Sequence, residues 1–265
     1  MTATYRVGDG LYVNLTNRCP CACTFCIRQN APGVYGSDSL WLEREPTVDE
    51  VCDSIETNLG DCRELVFCGY GEPTERLDVL LEVAARFRKT HPSMPIRVNT
   101  NGLADLIAGQ PTASRFQGLV DAVSVSLNAP TSEEYVALCR PKFGEAAYPA
   151  LLKFAEEVKG FVKDVVLTVV GTEDLTPGAP PSAATSSPES SAMHHSPLCF
   201  AAMARTLMSA LPVKSGAVSS TSIGSSATIS NPGRICPISL SLCWLCVATK
   251  SFILILSVQN GERAA

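Results

Sequence analysis

What the chain has little of narrows its reading before any motif is considered. It has no excess of positive charge: 26 acidic residues against 21 basic ones leave a formal charge of -5 and a pI near 5.3. That excludes the basic stripe of a nucleic-acid surface. It also gives acidic substrates no general electrostatic steering. Met1 to Asp9 lacks the basic stretch followed by an apolar one that marks a secretory signal. Without an export signal, twelve cysteines point to a reducing compartment and to metal chemistry, not to a disulfide framework. A cytoplasmic protein with neither nucleic-acid nor membrane partners is therefore expected. Apolar residues are plentiful at 46 %, enough to fill the core of one large domain or two small ones over 265 residues.

The most informative cysteines are Cys19, Cys23 and Cys26, a C-x3-C-x2-C pattern within eight residues. Three thiolates that close in sequence can converge on one inorganic centre. On a four-iron cluster they leave one iron open to a small molecule, whereas four cysteine ligands leave a centre that only passes electrons. Phe25 supplies an aromatic wall beside the last ligand. Cys21 lies inside the loop and is read as a spare thiol, because a fourth ligand would close the open iron. A structural zinc site or buried free thiols are the alternatives.

The rest of the first 171 residues alternates strand and helix patterns. Residues 5–7 and 11–16 read as a hairpin running into a first core strand, and the cysteine loop leaves its C-terminal end. Thr47 to Glu50 is a capping box opening a helix to about Gly60. A second strand, 64–68, opens into Gly69-Tyr70-Gly71-Glu72-Pro73-Thr74, where the two glycines are expected to let a ligand approach the backbone. A helix over 76–89 follows, with Leu77, Leu80, Leu81, Ala84 and Phe87 on one face. Strands at 96–100 and 122–128 end in the polar residues Asn101, Ser126 and Asn128. Ser132 is expected to cap the next helix, which ends at Cys139-Arg140-Pro141-Lys142. Arg140 reads either as a carboxylate-binding fork or as a solvated helix-end cation, and Lys142 likewise. A helix over about 146–159 leads to a fifth strand, 165–170. The alternation predicts an α/β fold with a parallel sheet wound by right-handed βα units.

At Cys19, Cys23, Phe25 and Cys26, followed by Gly69-Tyr70-Gly71-Glu72, the chain resembles the radical SAM superfamily. The second stretch is similar to that family's "GGE" motif, with Tyr70 in place of the first glycine. The resemblance implies a partial (βα) barrel, a [4Fe-4S] cluster held by Cys19, Cys23 and Cys26, and S-adenosylmethionine chelated by the open iron. Around the cofactor it would place Phe25, Gly69, Tyr70, Gly71 and Glu72, with Asn101, Ser126 and Asn128 near its ribose and carboxylate. It further implies an external one-electron donor of the flavodoxin or ferredoxin type, reductive cleavage to methionine, and a 5′-deoxyadenosyl radical that abstracts hydrogen from a substrate. The phrases 15–20, 68–74 and 138–141 resemble a narrower subgroup, the TatD-associated radical SAM proteins. A non-catalytic iron-sulfur module, with Cys21 as fourth ligand, is the competing reading, and an inactive truncated member the third.

Beyond residue 171 the character changes. Only nine charged residues but 18 serines fall in the last 95 positions, so 1–171 reads as the barrel core and 172–265 as a poorly structured tail. Segments 176–188 and 215–230 show neither helical nor strand period. No sixth βα unit is visible, which would leave the fifth strand an open edge; the tail reads either as a frame-shifted ending, the favoured reading, or as a divergent appendage. Cys236, Cys243 and Cys246 are only loosely spaced like an auxiliary cluster, and His194-His195 is read as incidental. The apolar run 238–258 has Lys250 in its middle, at a cost of about 2.5–3.5 kcal/mol to a membrane helix.

Overall fold

A computed structural model describes residues 1–29, 32–34, 36–171, 227–229, 238–241 and 252–259. Strands β1 (Thr4–Val7) and β2 (Gly10–Val13) form the expected antiparallel hairpin, with Thr4 opposite Val13. From β2 the sheet continues in parallel through β3 (Glu64–Phe67), β4 (Ile96–Thr100), β5 (Ala122–Ser126) and β6 (Asp164–Gly171). The connections carry α1 (Val48–Asn58), α2 (Leu77–Thr90), the short α3 (Ala104–Ala108), α4 (Ser132–Cys139) and α5 (Ala147–Val158). This is the α/β architecture of a partial barrel.

Strand alternation decides which face is buried. Leu11, Val13, Leu65, Phe67, Ile96, Val98, Val123, Val125, Val165 and Leu167 belong to one core with Val51, Ile55, Leu80, Phe87, Leu151 and Phe154 from the helices. Each fully buried large side chain there is worth roughly 1.5–3 kcal/mol, so this layer holds the arc together. Alternate positions point away from the helices and are largely polar. On that face Arg97 of β4 grips Glu64 of β3 with two bonds of 3.0 and 2.7 Å and donates to Asn99 at 3.1 Å.

Helix starts follow local chemistry. The Thr47 hydroxyl accepts from the Glu50 amide, and the Glu50 carboxylate accepts from the Thr47 amide, which completes the capping box of α1. For α4 the cap is Thr131, whose hydroxyl accepts from the Glu134 amide at 3.2 Å, not Ser132 as expected. Both hydroxyls are adjacent in sequence, but Thr131 has the extended backbone a cap requires and Ser132 is already helical.

The outer edge differs from expectation. Strand β9 (Phe252–Gln259) lies antiparallel on β6 along its full length, from Asp164 opposite Gln259 to Gly171 opposite Phe252. Strand β8 (Ile238–Ser241) pairs with β9, and β7 (Ala227–Ile229), inside a segment without readable strand period, pairs with β8. An antiparallel partner needs no helical crossover, so a segment lacking helical period can still cover the edge. The apolar run 238–258 thus holds β8 and β9. Among the described residues no helix is long and apolar enough to cross a membrane. Residues 176–188, His194, His195, Cys236, Cys243 and Cys246 lie outside the described residues.

Candidate cofactor site at the cysteine loop

The cysteine loop leaves β2 at its C-terminal end, where barrel folds place their chemistry. Its entry is pinned by three polar side chains. Asn14 donates to the Leu40 carbonyl at 2.7 Å; the Thr16 hydroxyl donates to Glu45 at 2.6 Å and accepts the Arg18 amide at 3.0 Å. Asn17 exchanges two bonds with the main chain of Leu42, at 2.7 and 3.0 Å.

The middle of the loop is zipped to a distant segment. The Ala22 amide donates to the Cys139 carbonyl at 3.1 Å, the Thr24 amide to Leu138 at 2.9 Å, and the Lys142 amide to Pro20 at 2.8 Å. Cys21 stands opposite Pro141 in this antiparallel ribbon. Arg140, whose role sequence left open, ends α4 in a left-handed conformation at φ 46°. Lys142 lies 3.6 Å from the Glu75 carboxylate, the ion-pair option for that residue.

The exit is closed by residues that the motif does not include. The Cys26 amide donates to the Cys23 carbonyl at 3.2 Å, and the Gln29 side chain to the same carbonyl at 2.8 Å. The Arg28 guanidinium spans the carbonyls of Asn17 and Tyr70 at 3.4 Å and of Cys21 at 3.5 Å, tying the cysteine loop to the glycine loop. Arg28, Gln29 and Cys139 were missed in the sequence. For Arg28, a cation two residues after the third cysteine was the available signal.

Cys19, Cys23 and Cys26 are half-buried, whereas Cys21 and Cys139 are buried at 5 % and 1 % exposure. Hydrogen bonding to Cys21 lowers the Cys19 thiol; bonds from Cys139 and Cys21 bring Cys23 down to about 4. The donors shift the other way: Cys21 and Cys139 are raised, chiefly by those same bonds. Burial raises Cys26. Among the described residues no three cysteine, histidine or carboxylate side chains already stand in metal-binding geometry. Metal uptake would therefore reorient the thiols, as where a site forms together with its metal. The donor set still suits an iron-sulfur centre: three sulfurs on one short loop, partly open, with the two additional thiols buried beside them. Phe25 is half-buried and packs against the core beside them.

The glycine loop after β3 lies directly against this structure. A Cβ on Gly71 would come closer than 3.0 Å to the carbonyl oxygens of Thr16 and Arg18, and one on Gly69 would run into the Asn14 side chain. Both glycines are thus required by the packing of one loop on the other. Asn14 Oδ1 is buried at that contact and finds no hydrogen-bond partner among the described residues. Tyr70 is 4 % exposed and packs in a small cluster with Tyr5 and Leu40, its ring edge-on to Trp41 at 5.3 Å. Glu72 donates its amide to the Arg18 carbonyl at 2.8 Å. Its carboxylate accepts from the Thr74 amide (3.1 Å), the Thr74 and Thr100 hydroxyls (both 2.7 Å) and the Asn101 amide (2.8 Å). It thereby joins the ends of β3 and β4, and burial raises its carboxyl.

The strand-end residues meet the loop differently. Asn101 directs its amide nitrogen at the Cys21 sulfur, 3.8 Å away, and Asn128 directs its own at the Cys139 sulfur, 3.6 Å away. Ser126 is half-buried at the end of β5, paired in register with Thr168. So the structure gathers Asn101, Asn128, Gly69, Gly71 and Glu72 around the cysteine loop.

A partial βα-barrel with a three-thiol loop on its first parallel strand, braced by a glycine-acid loop on the next, defines a class of cofactor-binding protein. The family model described as the radical SAM superfamily matches residues 13–178, and the chain belongs to that superfamily. Curated relatives include the GTP 3',8-cyclase of Paenarthrobacter nicotinovorans, 30 % identical over 142 residues, or 52 % of this chain and 37 % of that protein. The GTP 3',8-cyclase of Corynebacterium glutamicum (strain ATCC 13032) is 34 % identical over 145 residues, 51 % of this chain and 35 % of the relative. The chain thus matches about a third of the length of these relatives.

Proposed function

We propose that the chain is a radical SAM enzyme in which Cys19, Cys23 and Cys26 hold a [4Fe-4S] cluster. The observation that carries this reading is the half-open thiol loop at the mouth of the barrel, seated on Gly71 and Glu72. When bound, the cluster supplies one electron to the sulfonium of S-adenosylmethionine, giving methionine and a 5′-deoxyadenosyl radical for hydrogen abstraction. The chain's own residues organise the place where this happens. Arg28 and Gln29 hold the cysteine loop by donating to the carbonyls of Asn17, Cys21 and Cys23. Glu72 fixes the end of β4, so that Asn101 faces the loop. A one-electron donor of the flavodoxin or ferredoxin type completes the reaction.

Burial of Cys21 favours this over the electron-transfer reading, since the three half-exposed thiols are the ones able to face a cofactor. The phrases that suggest the TatD-associated subgroup, 15–20, 68–74 and 138–141, are the three segments that meet around the loop. Anaerobic reconstitution tests the proposal. The loaded protein should bind close to four irons and four sulfides, change its spectrum on adding S-adenosylmethionine, and release 5′-deoxyadenosine with dithionite. GTP enters as the first candidate substrate because the relatives carry that name. A cluster whose spectrum ignores S-adenosylmethionine would return the chain to the electron-transfer class.

A further inference from the structure

The chain as a whole is acidic, but the surface over the cysteine loop is not. Residues 17–29 and 138–143 hold the cations Arg18, Arg28, Arg140 and Lys142 and no acidic residue, in a chain whose formal charge is -5. The main-chain ribbon described above brings the two segments together, with the Lys142 amide on the Pro20 carbonyl and Cys21 opposite Pro141. Arg140 is exposed, and its left-handed backbone ends α4 and turns the chain into that ribbon. Arg18 and Lys142 are 56 % and 55 % exposed, and both lie 3.6 Å from the carboxylate of Glu75, itself 9 % exposed. A nearly buried acid thus holds two cations side by side while presenting little of its own charge to solvent. Glu45, paired with Arg18 and with Arg76, is the other acid that touches this group. Ala22 and Thr24, on either side of Cys23, are exposed and small, so a partner on this surface can come close to the thiol loop.

We propose that this surface is the docking face for the reductant: an acidic protein carrying a one-electron donor, held by Arg18, Arg140 and Lys142 over the cysteine loop. The inference rests on the radical SAM reading above and gives its electron donor a place. Complementary charge speeds encounter and orients the partner, and charges at the rim of an interface act mainly on association and on its salt dependence. Exposed cations of this kind are screened beyond about 8–10 Å at ordinary ionic strength, so docking is salt-sensitive. Three solvated cations along a ribbon suit the surface of a protein, whereas a small anion is held by donors that converge in a concave pocket. One electron leaves the donor and enters the cluster, and no covalent bond forms or breaks.

The test uses the full chain, reconstituted anaerobically, as parent, as the double variant Arg140→Glu/Lys142→Glu, and as Arg63→Glu, an exposed charge reversal beside the N-terminal end of β3, at the other end of the sheet. Iron and sulfide are counted, and reduction of the cluster is followed by stopped-flow absorbance with reduced flavodoxin and, separately, with photoreduced deazariboflavin, a small uncharged reductant. With flavodoxin the parent should slow as NaCl is raised, and the double variant should be roughly tenfold slower at low salt. Its iron content and its rate with deazariboflavin should match the parent, and Arg63→Glu should match the parent in every assay. A flavodoxin rate unchanged in the double variant overturns the proposal, and a fall in GTP affinity beside that unchanged rate assigns the surface to an anionic substrate. Equal slowing with both reductants, equal slowing in Arg63→Glu, or a parent that deazariboflavin reduces and flavodoxin does not, overturns it as well. If the double variant does not fold or loads less iron, Lys142→Glu alone takes its place, and a flavodoxin rate equal to the parent's overturns the proposal. A parent that takes up no iron and sulfide refutes the cluster reading instead.

Discussion

Gly71 shows how one missing side chain joins two loops. Its Cα faces the carbonyls of Thr16 and Arg18, so any side chain there pushes on the backbone that carries Cys19. Gly71→Val should therefore lower iron content as well as S-adenosylmethionine binding, measured as iron and sulfide per chain after reconstitution. Normal iron with weakened cofactor binding would mean that the glycine serves the ligand alone. Cys19→Ala, Cys23→Ala and Cys26→Ala should each abolish the cluster, while Cys21→Ser should retain it, by the same assay with visible absorption. At this scale the sequence is legible in pattern where residue types have few uses, as with the spacing of the three thiols, whose role as ligands the assay above decides. Glu72 was less so, because its partners Thr100 and Asn101 come from another strand, and nothing local in the sequence names them.

Elements divide along the same line. Helices α1, α2 and α5 fall within a residue or two of their expected spans, because apolar spacing and caps are local signals. The ribbon between 20–24 and 138–142 was illegible, since main-chain pairing across more than a hundred residues leaves no compositional trace. At the start of α4, Thr131→Ala should cost about 0.5–2 kcal/mol. Ser132→Ala should change stability by no more than about 0.5 kcal/mol, as surface changes usually do. Anaerobic urea unfolding separates the two. Equal losses would mean that the cap is shared.

For the whole molecule, the parallel arc β2–β6 followed from the alternation of strand and helix patterns, but its closure did not. Low charge and missing helical period predict an unpartnered edge, yet β9 pairs with every residue of β6. A chain ending at Gly171 should therefore expose an apolar edge from Val165 to Val170 and aggregate where the full chain stays dispersed, as light scattering would show. Equal behaviour of the two chains would mean that β9 does not protect that edge. The pairing also sets an order of events in time. Each parallel strand finds its neighbour through a nearby connection, but β6 must wait for a partner at least about 80 residues further along the chain. During synthesis the arc leaves the ribosome first, with its last strand unclosed until β9 has been made. Refolding of the full chain should accordingly show a late phase, the docking of β9, that the shorter chain lacks.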